Sequence, residues 1–225
     1  MEEVSWVVKY APKHYSELMV PAKPYVKKFV KDLFEGTSAS QAVLLYGKGG
    51  SGKSTLIELL SEQPGAWQIK KLATTGEKKN SIDSLINTLS TVPFSTIAGV
   101  PARHLVIGDE IEQSSTEFLD GLRSVLDMNK RLPKADQFLL LCTTNHFDKL
   151  TSTAPELVDR MQCLEWDLIP PTDILVKLRQ VLLAEKLYTE ANYKLATTLV
   201  KQYHPSVRKC LTELQLQAER PDEDE

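Results

Sequence analysis

A glycine-rich stretch over residues 44–55 constrains the fold of this sequence more than any other feature. It follows the spacing G-x-x-x-x-G-K-[ST], and its residues from the first glycine onward are Gly47, Lys48, Gly49, Gly50, Ser51, Gly52, Lys53, Ser54 and Thr55. Glycine lets a backbone wrap closely around a polyphosphate, because no Cβ blocks the positive φ angles that such a loop needs. An apolar strand pattern precedes the stretch and an apolar helix pattern follows it. A true phosphate loop needs this context, whereas a chance match of the spacing would not have to show it. The stretch therefore predicts a nucleotide site in which the Lys53 ammonium reaches the β- and γ-phosphates and the Ser54 hydroxyl holds Mg²⁺.

Length and composition exclude several classes of protein. A chain of 225 residues holds one large domain, or one of about 150–170 residues with a small one beside it. The net charge of −3 gives no overall signal for nucleic acid, so such a contact would need a local patch or an assembly. Three widely separated cysteines argue against a disulfide framework or a zinc module. No run approaches the roughly 18 apolar residues of a membrane helix, and the N-terminus is acidic, so we expect a cytosolic protein without a membrane partner.

Short apolar runs alternate with helical patterns over residues 1–168. The predicted strands cover residues 42–46, 67–72, 104–108, 138–143 and 161–166, while residues 6–12 are expected to be extended. Such alternation predicts an α/β fold in which a parallel sheet is covered by helices on both faces. After a hinge predicted at residues 169–171, three helical patterns predict a small helical domain over residues 169–219. The acidic residues 220–225 are expected to be disordered.

Polar side chains follow two of the predicted strands. Asp109 and Glu110 come directly after the strand at 104–108, and Asn145 follows the strand at 138–143. Since ligands of an open parallel sheet lie beyond the carboxyl ends of its strands, these side chains are predicted to face the nucleotide. Asp109 would support Mg²⁺, Glu110 would polarise a water for attack on the γ-phosphate, and Asn145 would orient that water. The alternatives are a solvated acidic pair in a turn and an asparagine that only ends a strand.

Taken in order with Arg160 and Arg208, these residues resemble an AAA+ ATPase, and more closely the ATPase subunit of a clamp loader from phage, archaeal or eukaryotic replication. Four further segments carry the resemblance: residues 9–12 are similar to the family's K-Y-x-P segment, 17–21 to its adenine-pocket segment, 157–163 to its Ser-Arg-Cys stretch and 205–211 to its lid arginine motif. The resemblance covers nearly the whole chain. It implies an ATP hydrolase with a five-stranded sheet, a three-helix lid and the cofactors ATP and Mg²⁺.

The resemblance also implies roles that the residues alone do not assign. Arg160 would be the arginine finger that reaches the ATP of a neighbouring subunit, a role that suits a permanently charged guanidinium. Arg208 would contact the γ-phosphate within its own subunit and couple the lid angle to the nucleotide state. Without the family, each arginine would be interpreted as a surface charge. The implied catalytic set is Lys53, Asp109, Glu110, Asn145, Arg160 and Arg208, and the implied adenine pocket comprises Tyr10, Pro12, Met19 and Val20.

The implied partners are other AAA+ subunits in a ring or spiral, a sliding clamp, and primer–template DNA along the inside of the spiral. Helix starts that present N–H groups and cations suit DNA phosphates. The first candidates are Lys78, Lys79 and Asn80, and the second are Ser114, Ser115 and Thr116. A solvated loop is the alternative interpretation of the lysine pair. The resemblance places the protein in the cytosol of a bacterium or of a virus-infected host cell.

Three departures from the family pattern bear on the pocket and on assembly. Ala11 stands where the family has an arginine, and Asp159 stands where a serine precedes the arginine finger. Clamp-loader subunits continue into a helical collar that holds a pentamer together, so the resemblance implies a shortened member or a different mode of assembly. The predicted function is ATP-driven loading of a polymerase clamp onto DNA. The alternatives are a helicase loader or another DNA-remodelling AAA+ ATPase, and a nucleotide-dependent scaffold that does not hydrolyse ATP.

Overall fold

A computed structural model of the chain describes residues 4–62, 67–72, 82–89, 103–134, 136–167 and 169–218. The strands in these ranges are β1 (Ala42–Tyr46), β2 (Trp67–Lys71), β3 (Arg103–Gly108), β4 (Leu139–Thr144) and β5 (Gln162–Glu165). They form one parallel sheet in the order β2-β3-β4-β1-β5. The predicted α/β fold is confirmed, and each predicted strand agrees with the observed bounds to within a residue at either end.

The helices are distributed before, between and after the strands. Those in the described ranges are α1 (Trp6–Lys9), α2 (Pro24–Phe34), α3 (Lys53–Glu62), α4 (Ile82–Leu89), α5 (Thr116–Asn129), α6 (Phe147–Thr153), α7 (Pro155–Val158), α8 (Pro171–Ala184), α9 (Glu190–Tyr203) and α10 (Val207–Gln217), with short 3-10 turns at Tyr15–Glu17 and Ile111–Gln113. The prediction of an extended segment at residues 6–12 is wrong. That segment begins with α1, because the Trp6 indole is buried in the core and the Trp6 N–H donates to Gln215 Oε1 at 2.7 Å. Among the residues that the structure describes, no helix is long and apolar enough to cross a membrane.

The register of the sheet brings the carboxyl ends of three strands to one edge. β1 lies between β4 and β5, with Tyr46 opposite both Thr144 and Glu165. On the far side of β4, Gly108 of β3 lies opposite Cys142. The residues that follow β1, β3 and β4 therefore meet at this edge, which is where open parallel sheets bind their ligands.

Each face of the sheet is covered by an apolar core. Successive side chains of a strand point to opposite faces, so Val43 and Leu45 enter one cluster and Ala42 and Leu44 enter the other. The first cluster contains residues of α1, α2, α3, α8, α9 and α10, and the second contains residues of α4, α5, α6 and α7. Because the first cluster runs without a break from the sheet into the last three helices, the division of the chain at residue 168 stays a prediction.

A local cap begins α10, and a contact of His204 ties the turn before it to the segment that follows β5. The Ser206 hydroxyl caps α10 by accepting from the Lys209 N–H at 3.3 Å. His204, at the end of α9, places Nε2 at 2.7 Å from the Ile169 carbonyl oxygen, in the segment that leads from β5 to α8. Arg208, in the first turn of α10, is thereby held close to the ligand edge of the sheet.

Candidate active site

The glycine loop joins β1 to α3 at the ligand edge of the sheet. Three of its glycines have φ angles that L-residues with a side chain rarely adopt, namely Gly47 (153°), Gly50 (82°) and Gly52 (100°). A Cβ on Gly50 would overlap the Ser206 hydroxyl, so the loop and the start of α10 are in close contact. Helix α3 begins at Lys53, and its first N–H groups have no partner within the helix. The loop and the helix start therefore offer an anion a set of free backbone donors.

The Lys53 side chain lies inside the loop and is only 5% exposed. Its ammonium donates to the carbonyl oxygens of Gly47 at 2.6 Å and Lys48 at 3.0 Å. Burial lowers the pKa of Lys53, and the negative charges of Asp167 and Asp109 oppose that shift. A cation held there can exchange loop carbonyls for phosphate oxygens, so the geometry fits the predicted phosphate contact.

Ser54 and Asp109 lie together, as the predicted Mg²⁺ site requires. The Ser54 hydroxyl donates to Asp109 Oδ1 at 3.4 Å, and the Thr143 hydroxyl donates to the same oxygen. One or two protein oxygens together with substrate phosphates and water are the usual ligands of Mg²⁺ in such sites. The donor set fits the ion, and its assignment as the metal site stays a prediction.

Glu110 and Asn145 are joined by a direct hydrogen bond, in which Asn145 Nδ2 donates to Glu110 Oε1 at 2.7 Å. The Glu110 N–H donates to Thr143 Oγ1 at 2.9 Å, and Gln113 Nε2 donates to the second carboxylate oxygen. The Asn145 N–H is fixed by Glu112, whose buried carboxylate accepts it at 3.1 Å. The predicted base and the predicted water-orienting amide thus share one hydrogen-bond network at the ends of β3 and β4.

A cavity of about 460 Å³ lies above the loop. Its walls come from the N-terminal segment, the loop, the polar strand ends, α8 and α10. The predicted site residues on its lining are Tyr10, Pro12, Met19, Gly49, Gly50, Ser51, Gly52, Lys53, Ser54, Thr55, Glu110, Asn145 and Arg208. A volume of this size is typical of a small-molecule site. The structure therefore brings most of the predicted adenine, phosphate and lid residues to one place.

Of the residues predicted to contact the nucleotide of their own subunit, Val20, Gly47, Lys48 and Asp109 lie off this lining. Val20 is partly buried against the same apolar cluster as its neighbour Met19, and its place in the adenine pocket stays a prediction. Gly47 and Lys48 border a smaller cavity of about 310 Å³, whose lining also includes Asn145. Asp109 contacts the site through its bonds with the Ser54 and Thr143 hydroxyls.

The cavity lining also contains residues that were not among the predicted site residues. Sequence reasoning missed Val7, Val8, Glu58 and Lys177 altogether, whereas the family segments contain the others, namely Ala11, Glu17, Leu18, Val207 and Leu211. Val207 and Leu211 lie one helical turn apart beside Arg208, so the helical period was a signal that could have found them. Lys177 adds a second cation from α8. No sequence signal identifies Lys177, because its place depends on how α8 packs against the sheet.

Arg160 does not line the cavity of its own chain. Its guanidinium donates twice to Asp127 of α5, at 2.8 Å and 3.1 Å, and once to the Glu156 carbonyl oxygen at 2.6 Å. These hydrogen bonds with Asp127 raise the pKa of Arg160 and lower the pKa of Asp127. The position leaves Arg160 at the subunit surface, and its action on a neighbour's nucleotide stays a prediction.

The first candidates for DNA contact, Lys78, Lys79 and Asn80, lie outside the described residues. In the second group, Ser115 caps α5, because its hydroxyl accepts from the Phe118 N–H at 3.3 Å. Ser115 and Thr116 are exposed, whereas the Ser114 hydroxyl is buried. A buried hydroxyl does not reach a DNA backbone, so within this group Ser115 and Thr116 are the better candidates.

Glu185 fastens the N-terminal segment to the helical region. Its Oε1 accepts from Lys9 Nζ at 2.7 Å and from the Tyr10 hydroxyl at 2.6 Å. These hydrogen bonds, that from Lys9 first, lower the pKa of Glu185 below its usual value of 4.5. Because Tyr10 lines the cavity, this contact also sets the position of one cavity wall.

We expect Glu185→Ala to destabilise the fold near neutral pH and to do so less in acid. A carboxyl with a lower pKa in the folded state stabilises the fold above its unfolded pKa, here near 4.5, and that stabilisation is lost as the pH falls through the folded-state pKa. Urea midpoints of the wild type and the variant should differ at about pH 7, and the difference should shrink as the pH falls below 4.5. The control is Glu190→Ala, which removes an exposed carboxylate that pairs with Lys194 in the first turn of α9. An equal difference at every pH would exclude the Glu185 charge as the cause.

The sequence profile of the family described as "ATPase family associated with various cellular activities (AAA)" matches residues 43–165. That range is more than half of the chain and contains the glycine loop, Asp109, Glu110 and Asn145. The chain belongs to the AAA family. It is accordingly an ATP-hydrolysing P-loop ATPase, as the sequence predicted.

Individual relatives extend the similarity beyond that range. The replication factor C large subunit of Staphylothermus marinus is 20% identical over 218 residues, which cover 96% of this chain and 49% of that protein. The corresponding subunit of Thermococcus kodakarensis is 25% identical over 218 residues, covering 96% and 40%. The chain thus spans less than half the length of these relatives. Among solved structures, the Thermotoga maritima RuvB Holliday junction branch migration motor is similar with a TM-score of 0.60 at 18% identity, covering 91% of this chain and 64% of that one, which supports the AAA fold.

Proposed function

We propose that this AAA ATPase is a subunit of a sliding-clamp loader, which couples ATP binding and hydrolysis to the loading of a DNA polymerase clamp onto primer–template DNA. The observation that carries the proposal is the likeness to replication factor C large subunits over 96% of the chain. An alignment of that extent leaves out only a few residues, so it includes the three C-terminal helices as well as the sheet. A likeness confined to the sheet would support nucleotide binding alone.

In the proposed cycle, ATP occupies the cavity above the glycine loop. The free N–H groups of the loop and of α3 bind the phosphates together with Lys53. Ser54 and Asp109 hold Mg²⁺, which when bound neutralises charge on the phosphate oxygens. Glu110 accepts a proton from the attacking water while Asn145 orients it. The hydrogen bond between their side chains holds these two residues next to each other.

Arg208 links the nucleotide to the helical region in this proposal. It extends from the first turn of α10 into the same cavity as the loop. A γ-phosphate that binds Arg208 would draw α10 toward the loop, and its loss on hydrolysis would release the helix. Such a change in the position of the helices would alter contacts with other AAA+ subunits, the clamp and DNA, with the assembly working in the cytosol of a bacterium or a virus-infected cell.

The proposal is tested by linkage between nucleotide and clamp. We expect ATP to raise the affinity of the protein for the sliding clamp of its source organism by roughly 5- to 150-fold, and the clamp to raise the affinity for ATP by the same factor. Both affinities are measured in separate equilibrium titrations, because only the binding constants must agree. Clamp and primer–template DNA together should then accelerate ATP turnover, whereas either alone should do so less.

Two outcomes would overturn the proposal. Turnover that responds to the replicative helicase and ignores the clamp would identify a helicase loader or another DNA-remodelling ATPase. ATP-dependent binding of partners without any turnover would identify a scaffold.

A further inference from the structure

A two-residue segment directly after β5, Trp166 and Asp167, forms hydrogen bonds with the glycine loop. We name it the β5 strap. Both carboxylate oxygens of Asp167 accept from the backbone N–H of Lys48, at 2.7 Å and 2.8 Å. That N–H belongs to the second position of the glycine-loop pattern, upstream of the helix start where phosphates are expected. The bond therefore fixes the loop without occupying the expected phosphate donors.

The strap holds the loop at two further points. The Trp166 indole is fully buried, and its Nε1–H donates to the Ser51 carbonyl oxygen at 3.1 Å. The Trp166 backbone N–H donates to the Tyr46 carbonyl oxygen, at the end of β1, at 2.8 Å. One short segment thus contacts the residue before the loop, the second position of the loop and its middle. This arrangement follows from the pairing of β5 with β1 in the sheet.

The packing between strap and loop is close. A Cβ on Gly47 would overlap the Asp167 carboxylate, so the first glycine of the pattern is needed here for space as well as for its φ angle. The carboxylate also opposes the effect of burial on the pKa of Lys53 more than any other charge does. An acid beside a triphosphate site would by itself weaken the binding of an anion. Its presence beside the loop therefore indicates that the carboxylate favours ATP binding in another way, which offsets this repulsion.

We propose that Asp167 is a positioning residue for ATP binding, whose carboxylate holds Lys48 and so presets the first half of the glycine loop in the shape that accepts phosphates. Without the contact between Asp167 and Lys48, the loop would sample several conformations and would lose conformational entropy when ATP binds. With the contact, that entropy is lost when the protein folds and no longer lowers the affinity for ATP. This role concerns nucleotide affinity and does not depend on whether a clamp or a helicase is the partner.

The test compares Asp167→Ala with Asp167→Asn. Both variants lose the negative charge, but asparagine keeps one oxygen that can accept from the Lys48 N–H. Their difference therefore measures the loss of the accepting side chain at equal charge. We expect the asparagine variant to bind ATP within about threefold of the wild type and the alanine variant to bind about tenfold more weakly than the asparagine variant. The matched control is Asp148→Asn. Asp148 and Asp167 both line the smaller cavity of about 310 Å³, but Asp148 has no hydrogen bond to the loop among those of the described residues.

Isothermal titration with ATP separates positioning from general damage. A damaged fold lowers the number of sites per chain, whereas a loop that is no longer preset lowers the affinity at full stoichiometry. Steady-state turnover should show a raised KM with kcat nearly unchanged, because Glu110 and Asn145 are untouched. Equal ATP affinities of the alanine and asparagine variants would overturn the proposal, and so would a loss of sites or of kcat without a change in affinity. None of these measurements requires a clamp, so their outcome is independent of the clamp-loader test.

Discussion

Glu110→Gln should leave ATP bound while nearly stopping its hydrolysis, with a fall in kcat of about 10²- to 10⁴-fold. The glutamine keeps the size of the side chain and the oxygen that accepts from Asn145 Nδ2, so the hydrogen bond of 2.7 Å can persist. What it loses is the basic oxygen that would take a proton from the attacking water. The substitution therefore separates base catalysis from the architecture of the site.

The backbone of Glu110 makes a structural role for this residue less attractive. Its φ angle of 51° lies in the left-handed region, which costs a residue with a side chain about 1–3 kcal/mol. The Glu110 N–H bond to Thr143 holds that conformation in place. A turn that needed only solubility would be better filled by glycine or asparagine. The strained position aims a carboxylate at the cavity, as a base requires.

Single-turnover assays with ATP and equilibrium ATP binding are the two measurements for this variant. Binding within about threefold of the wild type serves as the internal control, since glutamine keeps an oxygen that accepts from Asn145. Turnover equal to that of the wild type would remove Glu110 from the mechanism and would favour a different base. A joint loss of binding and turnover would instead assign Glu110 to the folding of the site.

The parts of the site that follow strands could be predicted because covalent spacing fixes them. A glycine loop directly after β1, an acidic pair directly after β3 and Asn145 directly after β4 must meet at one edge once the strands are parallel. The sheet itself was predictable, since buried strands of a parallel sheet are continuous apolar runs. For these residues, the position in the sequence directly after a strand is enough to determine the position at the ligand edge of the fold.

Residues that reach the site through packing could not be predicted. Helix α1 has four residues, too few for a helical period, and it forms because Trp6 packs into the core. Lys177 enters the cavity only through the packing of α8, and Asp167 reaches the loop only because β5 pairs with β1.

The contact between Arg160 and Asp127 was equally invisible in the sequence, and it shapes the second large expected effect. The two residues lie 33 positions apart and meet only because α5 and α7 pack together. The pair holds the guanidinium at the surface, outside the cavity of its own chain. If Arg160 acts on ATP at all, the ATP must belong to another subunit.

We therefore expect Arg160→Ala to bind ATP normally while losing about 10³- to 10⁵-fold in turnover, the range by which an arginine finger accelerates phosphoryl transfer. Lys53→Ala should also be inactive, because its own site no longer binds phosphate. Mixing the two inactive variants should restore measurable turnover, since some interfaces then join an intact ATP site to an intact Arg160. The readout is ATP hydrolysis as a function of the mixing ratio, with a maximum at an intermediate ratio.

The chain offers a matched control for this experiment in Arg123→Ala. Arg123 of α5 forms an ion pair with the Glu156 carboxylate of α7 and makes none of the Arg160 hydrogen bonds. An exposed pair of this kind contributes about 0.2–1 kcal/mol at most, so turnover of that variant should stay near the wild-type value. Mixtures that remain inactive at every ratio would contradict action in trans, and full activity of Arg160→Ala alone would contradict any catalytic role. Rescue in the mixture requires two chains at one site, because Arg160 lies at the surface beside Asp127, away from the loop that holds Lys53 in the same chain. An active site in the mixture therefore combines Lys53 of one chain with Arg160 of another.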